Sequence, residues 1–132
     1  MAARSLLVRN CEEELMNSHD VRQVLLSTDN LDESIRFYTE TFGFALKFRD
    51  GTHYAALDGD SITVALATAL DHPLPGKVVV GIRTSDVDGC AKSIEENGGA
   101  VVKAPYDDAH ERRAVVYDNQ GNALVLYKSI PR

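Results

Sequence analysis

The chain repeats one order of secondary structure twice, and this internal repeat restricts the folds that it can adopt. Gly43 and Gly99 are separated by 56 positions, as are the residues that begin the helix of each copy. Beyond the third strand the separation becomes 60 positions, so that Asp58 matches Asp118. The additional residues fall in the segment 106–111. Because two copies are too few for a solenoid, we expect duplicated modules of one domain.

Each copy is predicted to contain a strand, a helix and then three strands. In the first copy Asn30 is the predicted N-cap, and apolar residues at helical spacing follow it until Gly43 ends the helix. In the second copy Ser85 is the predicted N-cap, and Asn97 begins the stop signal. The predicted strands cover residues 21–28, 44–49, 53–57 and 62–67 in the first copy and 77–83, 100–103, 113–117 and 123–127 in the second.

These boundaries predict a single domain over residues 21–129. Module 1 covers 21–67 and module 2 covers 77–129, and the segment 68–76, which contains two prolines, links them. Residues 1–20 are expected to be an N-terminal extension, either a flexible tail or an arm exchanged across a dimer.

The composition argues against several kinds of partner. The net charge is −6 and the basic residues are scattered, so we expect no nucleic acid as a partner. The longest apolar stretches are too short to span a membrane, and no membrane partner is expected. The only cysteines, Cys11 and Cys90, are too few for a disulfide scaffold, and the first twenty residues do not form a secretory signal. A cytoplasmic location is therefore expected.

Four short motifs carry a resemblance to a known family. They are NLDESIRFY at 30–38, FGF at 42–44, ENGG at 96–99 and DNQGN at 118–122. With the repeat, they resemble the vicinal-oxygen-chelate superfamily, which contains the glyoxalase I, bleomycin-resistance and extradiol-dioxygenase families. The resemblance implies an α+β fold in which two βαβββ modules form a cupped, open β-barrel with the helices outside. It also implies a homodimer, since many members are dimeric.

The resemblance further implies where a metal would bind. In the metal-using members four inward side chains, usually His or Gln, Glu, His and Glu, hold one divalent ion. Counting from the helix caps and the last turn places these positions at Gln23, Ala65, Val79 and Val125. Only Gln23 carries a donor atom, and a shift of one residue brings only apolar neighbours to the other three. We therefore expect no metal and no other cofactor here.

Strand parity identifies polar residues that would line the cup, because alternate residues share one face of a strand. The predicted ligand-binding residues are Gln23, Ser27, Tyr54, Arg83 and Tyr127. Tyr54 and His53 compete for the inward face of their strand. Arg83 would anchor a carboxylate or phosphate. Each has a structural alternative: Gln23 satisfying a backbone group, Arg83 in solvent, and Tyr127 in packing.

Two further expectations concern the space in the cup and its closure. Small residues at Ala65, Ala67, Gly81 and Ala123 would leave room for a ligand. The segment 106–111, which contains His110, would form a loop that covers the cup as a lid.

The leading hypothesis is a metal-independent protein that sequesters or senses a small aromatic or amphipathic molecule in the cup. The first alternative is a lyase or isomerase that acts without metal, although the sequence nominates no catalytic residue. The second alternative is a metal enzyme with a relocated site built from His53, His72 or Asp71.

Overall fold

The computed structural model describes residues 18–131. The predicted extension at 1–20 lies outside this range except for its last three residues, of which His19 and Asp20 already belong to the first strand. In chain order the elements are β1 (His19–Ser27), α1 (Leu31–Phe42), β2 (Ala45–Asp50), β3 (Tyr54–Asp58), β4 (Thr63–Ala67), β5 (Val79–Thr84), α2 (Val87–Glu96), β6 (Ala100–Asp107), β7 (Glu111–Tyr117) and β8 (Ala123–Ser129). Each half therefore has the predicted βαβββ order.

The strands form one mixed sheet in which the two modules are related by the sequence repeat. Its strand order is β2-β3-β4-β1-β5-β8-β7-β6. The central strands β1 and β5 are antiparallel, with Gln23 opposite Gly81 and Leu25 opposite Val79. The 56-residue offset relates Gln23 to Val79 and Leu25 to Gly81. The two pairs are therefore equivalent, and the pairing has an approximate twofold symmetry. Both modules of one chain thus join through their first strands, and the sheet remains open, as the α+β prediction required.

Local side-chain contacts explain where the helices begin and end. Asn30 accepts a hydrogen bond from the Glu33 backbone N–H at 3.1 Å, and Gly43 ends α1 with a left-handed φ of 75°. The prediction of Ser85 as the N-cap of α2 was wrong by one residue. Asp86 is the cap: its carboxylate accepts from the Gly89 N–H at 2.9 Å, and its negative charge suits a helix N-terminus.

Apolar residues pack on both faces of the sheet. Under α1 the buried residues include Leu31, Leu57 and Leu66, and under α2 they include Val116 and Leu126. A third cluster lies on the opposite, inner face of the sheet and consists of Leu25, Ala65, Val79, Ala123 and Val125. Burying a side chain of Leu or Val size stabilises a fold by about 1.5–3 kcal/mol, so all three clusters contribute.

The segment between β6 and β7 is not the long loop that the sequence predicted. β6 continues to Asp107 and β7 begins at Glu111, which leaves only a turn. The Asp108 N–H donates to the Glu111 carbonyl at 2.9 Å, and the Asp108 carboxylate accepts from the backbone N–H groups of His110 and Glu111 at 3.0 Å each. These bonds close a hairpin, so His110 lies on a turn at the end of two strands.

The linker between the modules closes one end of the inner face. The Thr68 carbonyl accepts hydrogen bonds from the backbone N–H groups of Asp71 and His72, at 3.0 and 2.9 Å. Leu74 then packs against the inner apolar cluster, and His72 is 5% exposed. Within residues 18–131 no helix has the length and apolar character needed to cross a membrane.

Candidate functional site

The inner face of the sheet borders a cavity of about 450 Å³. Its wall comes from both modules and from the linker. The lining residues are Gln23, Leu25, Phe48, Tyr54, Asp71, Asp108, His110, Glu111, Arg113 and Tyr127. Strand register explains why several of them meet: Arg113 on β7 lies directly opposite Tyr127 on β8, and Glu111 shares the face of Arg113.

Three of the five predicted ligand-binding residues lie on the cavity wall, namely Gln23, Tyr54 and Tyr127. The other two lie outside it. The Ser27 hydroxyl accepts from the Gly76 N–H at 2.9 Å and donates to the Lys77 carbonyl at 3.1 Å, so its polar capacity is used to hold the linker.

The anion-binding role expected of Arg83 has no support in its surroundings. Its Nε and Nη2 atoms donate to the two carboxylate oxygens of Asp20 at 3.3 and 3.1 Å. Half of the side chain is exposed, and it is not among the residues that line the cavity. Arg83 is therefore held by a bidentate ion pair with Asp20. This pair forms because β1 begins two residues earlier than the sequence predicted, which brings Asp20 into register with Arg83.

Gln23 occupies space that a glycine leaves open. It lies opposite Gly81 across the β1–β5 pair, and a Cβ atom added to Gly81 would lie 2.5 Å from the Cγ of Gln23. This distance is well inside van der Waals contact, so the glutamine conformation depends on the absence of a side chain at residue 81. The amide of Gln23 is thereby directed over Gly81 at the cavity wall.

The four positions that the resemblance assigns to a metal do not form a ligand set. Ala65 and Val79 are fully buried and Val125 is 1% exposed, all within the inner apolar cluster. Their side chains contain no nitrogen, oxygen or sulfur atom, which leaves Gln23 as a single donor.

The prediction that small residues leave room for a ligand was wrong for the three alanines, since Ala65, Ala67 and Ala123 are all buried. Leu74 from the linker and the rings of Tyr54 and Tyr117 pack against the cluster that contains Ala65 and Ala123. The open space lies away from Ala65, Val79 and Val125 and toward β2, β3 and β7.

A charged group lies on the β7 side of the cavity. Arg113 Nη1 donates to Asp108 Oδ2 at 3.3 Å, and Arg113 Nε lies 3.6 Å from Glu111 Oε1 without a hydrogen bond. Burial raises the pKa of Glu111, and the neighbouring Asp108 adds to that rise. Burial also opposes the charge of Asp108, but backbone N–H groups and Arg113 outweigh it and lower the pKa of Asp108.

Aromatic side chains form much of the remaining wall. The rings of Phe48 and Tyr54 have their centroids 6.2 Å apart and are tilted by 53°. Burial raises the pKa of Tyr54 and of Tyr127, and the charge of Glu111 raises both further. Both phenols are therefore neutral hydrogen-bonding groups near pH 7.

An imidazole and two carboxylates meet at the edge of the cavity. His53 Nδ1 is 2.6 Å from Asp71 Oδ2, and His53 Nε2 is 3.8 Å from Asp50 Oδ1. The hydrogen bond to Asp71 raises the pKa of His53, although partial burial opposes it. One donor atom from each residue lies within 4.8 Å of the others, a spacing compatible with one metal ion. The structure thus brings together two of the three residues of the predicted relocated site.

His72, the third residue of that predicted site, does not join this group. Its Nδ1 accepts from the Leu74 N–H at 3.0 Å. Burial lowers the pKa of His72, which keeps the ring neutral. This histidine holds the linker in place and faces the interior.

Four cavity residues were missed by sequence reasoning: Phe48, Asp108, Glu111 and Arg113. For β7 a signal was available. Val115 lies opposite Val125 on the inner face, so alternation along the strand also places Arg113 and Glu111 there. Phe48 follows an irregularity in the β2–β3 pairing between Leu46 and Phe48, which sequence parity does not reveal.

The fold and the duplicated modules define a class, and comparison with known proteins agrees. The family model described as the Glyoxalase/Bleomycin resistance protein/Dioxygenase superfamily matches residues 21–126. The chain belongs to this superfamily, which confirms the resemblance noted in the sequence.

Similar proteins are found both among sequences and among solved structures. An uncharacterized protein of Mycolicibacterium smegmatis is 68% identical over 117 residues, covering 89% of this chain and all of that protein. A superfamily member from Vibrio splendidus 12B01 has a TM-score of 0.66 at 17% identity, covering 85% of this chain and 100% of that one. Methylmalonyl-CoA epimerase from Mycobacterium tuberculosis has a TM-score of 0.62 at 19% identity, covering 84% and 88%. At these identities the solved structures show the fold alone.

Proposed function

We propose that this protein binds a small aromatic or amphipathic molecule in its cavity, to sequester or sense it, without a metal at the family position. One observation carries the proposal: three of the four positions that the resemblance assigns to a metal, Ala65, Val79 and Val125, are packed apolar residues, while an aromatic and polar cavity remains open beside them. A volume of about 450 Å³ is within the range of small-molecule sites. Phe48 and Tyr54 offer apolar contact, and Gln23 and the Tyr127 hydroxyl offer hydrogen bonds.

A screen of small organic molecules by thermal shift tests this proposal. A molecule that binds only the folded protein increases the free energy of unfolding by RT ln(1 + [L]/Kd) and so raises the melting temperature. The informative variant is Phe48→Ala, which removes an apolar wall residue. Val78→Ala is the control, because Val78 and Phe48 are 61% and 56% exposed and only Phe48 lines the cavity. The thermal shift that each hit produces should become smaller in the first variant and stay the same in the second. A thermal shift that is unchanged in both variants would contradict binding at this site.

A second candidate function is a metal-independent lyase or isomerase, and one observation favours it. Glu111 has a raised pKa and faces the cavity together with two phenols, those of Tyr54 and Tyr127, so its carboxylate could accept a proton from a bound ligand. Mass spectrometry of the hits after incubation separates the two functions. A chemically altered ligand, with turnover lost in Glu111→Gln and binding retained, would replace the binding-only proposal by this one.

The relocated metal site can be tested on the same sample. Elemental analysis of the purified protein, followed by titration with Zn²⁺ or Mn²⁺ alone, measures whether Asp50, His53 and Asp71 hold an ion. We expect no metal ion in a stoichiometric amount with the protein. A stoichiometric ion that is lost in His53→Ala would favour a metal enzyme instead.

We also propose that the protein acts as a homodimer. Several large apolar side chains of module 1 are about half exposed, including Phe37, Phe42 and Leu46. Light scattering coupled to gel filtration measures the mass directly, and a monomer at micromolar concentration would refute a stable dimer.

A further inference from the structure

We propose that the cavity selects ligands that carry a protonated amine attached to an aromatic or other apolar body. This inference rests on the proposed function, namely that the cavity binds a small molecule, and adds the chemical class of that molecule. It follows from the balance of charge on the wall, from the position of one carboxylate and from the aromatic rings beside it.

The wall of the cavity contains more acidic than basic groups. Asp71, Asp108 and Glu111 line it, against one guanidinium, that of Arg113, and one imidazole, that of His110. Three carboxylates on the wall thus face one guanidinium, and one of the three, Asp71, also has the imidazole of His53 as a partner at the cavity edge. A partly enclosed site with this balance attracts cations and repels anions, because low-dielectric walls weaken screening.

Existing ion pairs show which of these carboxylates is least compensated. Asp71 is bound to His53 at 2.6 Å, and Asp108 accepts two backbone hydrogen bonds as well as one from Arg113. The contact of Glu111 with a cationic side chain is weaker, since Arg113 Nε is 3.6 Å from its carboxylate and forms no hydrogen bond. An ammonium group beside Glu111 would supply the missing donor and the missing charge.

The groups around Glu111 suit the rest of such a ligand. The phenols of Tyr54 and Tyr127 remain neutral, and the negative faces of aromatic rings favour a nearby cation. Phe48 and Leu25 add apolar surface to the cavity wall. The cavity therefore combines the Glu111 carboxylate, which can bind an ammonium group, with aromatic and apolar side chains that can contact the rest of the ligand.

Arg113 provides the competing possibility, an anionic ligand. Its guanidinium already contacts two carboxylates, those of Asp108 and Glu111, and its side chain is only 18% exposed. A ligand carboxylate would have to displace one of these partners and would face the other. The geometry therefore favours the amine.

Three probes of similar shape test the inference: 2-(1-naphthyl)ethylamine, 2-(1-naphthyl)ethanol and 1-naphthylacetate. Calorimetry or protein-observed NMR at pH 7 and low salt measures their affinities for the full chain. We expect the amine to bind at least about tenfold tighter than the alcohol, and the acetate to bind most weakly. Raising the salt concentration should weaken amine binding and leave the alcohol unchanged.

The variant Glu111→Gln should remove the preference for the amine while the alcohol keeps its affinity. Glu96→Gln, an exposed carboxylate at the end of α2, is the matched control and should change nothing. Three results would each overturn the inference: equal binding of amine and alcohol, tighter binding of the acetate, or an amine affinity that does not change with salt. The salt dependence is measured on the unmodified protein, so it decides the question even where Glu111→Gln fails to fold. If none of the three probes binds while other hits lose affinity in Phe48→Ala, the amine class is wrong and the proposed function stands. Absence of any hit in the screen refutes both.

Discussion

His53 Nδ1 lies 2.6 Å from Asp71 Oδ2, so a short hydrogen bond between side chains joins the turn between β2 and β3 to the linker between the modules. A second contact supports the same connection, because the His53 carbonyl accepts from the Thr68 N–H at 2.9 Å. The edge of the cavity is therefore fixed by residues that are 18 positions apart in the sequence. This arrangement has consequences for stability that depend on pH.

The first prediction concerns His53. Its pKa is raised above the ordinary value of 6.5 by Asp71, so the bond contributes its full stabilisation below pH 6.5 and loses it as the pH rises through the folded-state pKa. His53→Gln should therefore lower the free energy of unfolding more at pH 5.5 than at pH 8.5. Urea denaturation of both proteins at the two pH values measures this difference. A loss that is the same at both values would show that the charged pair does not form.

The second prediction concerns His72 and has the opposite sign. Burial lowers its pKa below 6.5, so the unfolded chain binds a proton that the folded protein does not, and stability falls as the pH drops below 6.5. His72→Asn retains an acceptor for the Leu74 N–H and removes the titrating ring. Between pH 6.5 and 5 the variant should lose less stability than the natural chain. Parallel pH dependences in the two proteins would contradict this account.

The third prediction tests whether the inner face is packed at Val79, one of the positions that the resemblance assigns to a metal. Val79→Ala should lower the free energy of unfolding by about 2 kcal/mol, because Val79 is fully buried and its removal leaves a cavity. Val78→Ala is the matched control: the neighbouring residue is 61% exposed and its change should cost less than about 0.5 kcal/mol. Chemical denaturation measures both. Equal costs would mean that the inner face is not packed at this point.

Much of the fold could be predicted from the sequence because the repeat and the helix signals are local. The positions of Asn30 and Gly43 at the ends of α1 follow from their own side-chain chemistry, and the 56-residue offset correctly relates β1 to β5. The limits of β6 and β7 could not be read in this way. Asp107 and Glu111 are polar residues at the ends of these strands, and Asp107 pairs with Arg112 because the Asp108 turn brings the two strands together.

The site was less predictable than the fold for a related reason. The alternation of side chains along each strand predicted Gln23 and Tyr127 on the inner face. That alternation does not show how far other segments of the chain fill the space above the face. Leu74 is in the linker, and only the folded chain shows that it packs over the cluster of Ala65. The same filling moves the open cavity toward Glu111, a residue whose strand the sequence did not extend far enough to include.

The last prediction concerns the pair formed by Gln23 and Gly81. An alanine at residue 81 would place its Cβ 2.5 Å from the Cγ of Gln23 and 3.0 Å from its Nε2, so the glutamine must leave its position. Gly81→Ala alone should destabilise the protein by about 1–3 kcal/mol, the usual cost of overpacking. In a Gln23→Ala background the obstacle is gone, and the backbone of alanine is less flexible than that of glycine in the unfolded chain. There the same substitution should be neutral or stabilising by up to about 1 kcal/mol. The two single variants and the double variant form a cycle whose coupling, measured by chemical denaturation, should exceed about 1 kcal/mol. Additive effects would show that the glutamine does not lie over Gly81, and the polar side of the cavity would then have to be assigned to other residues.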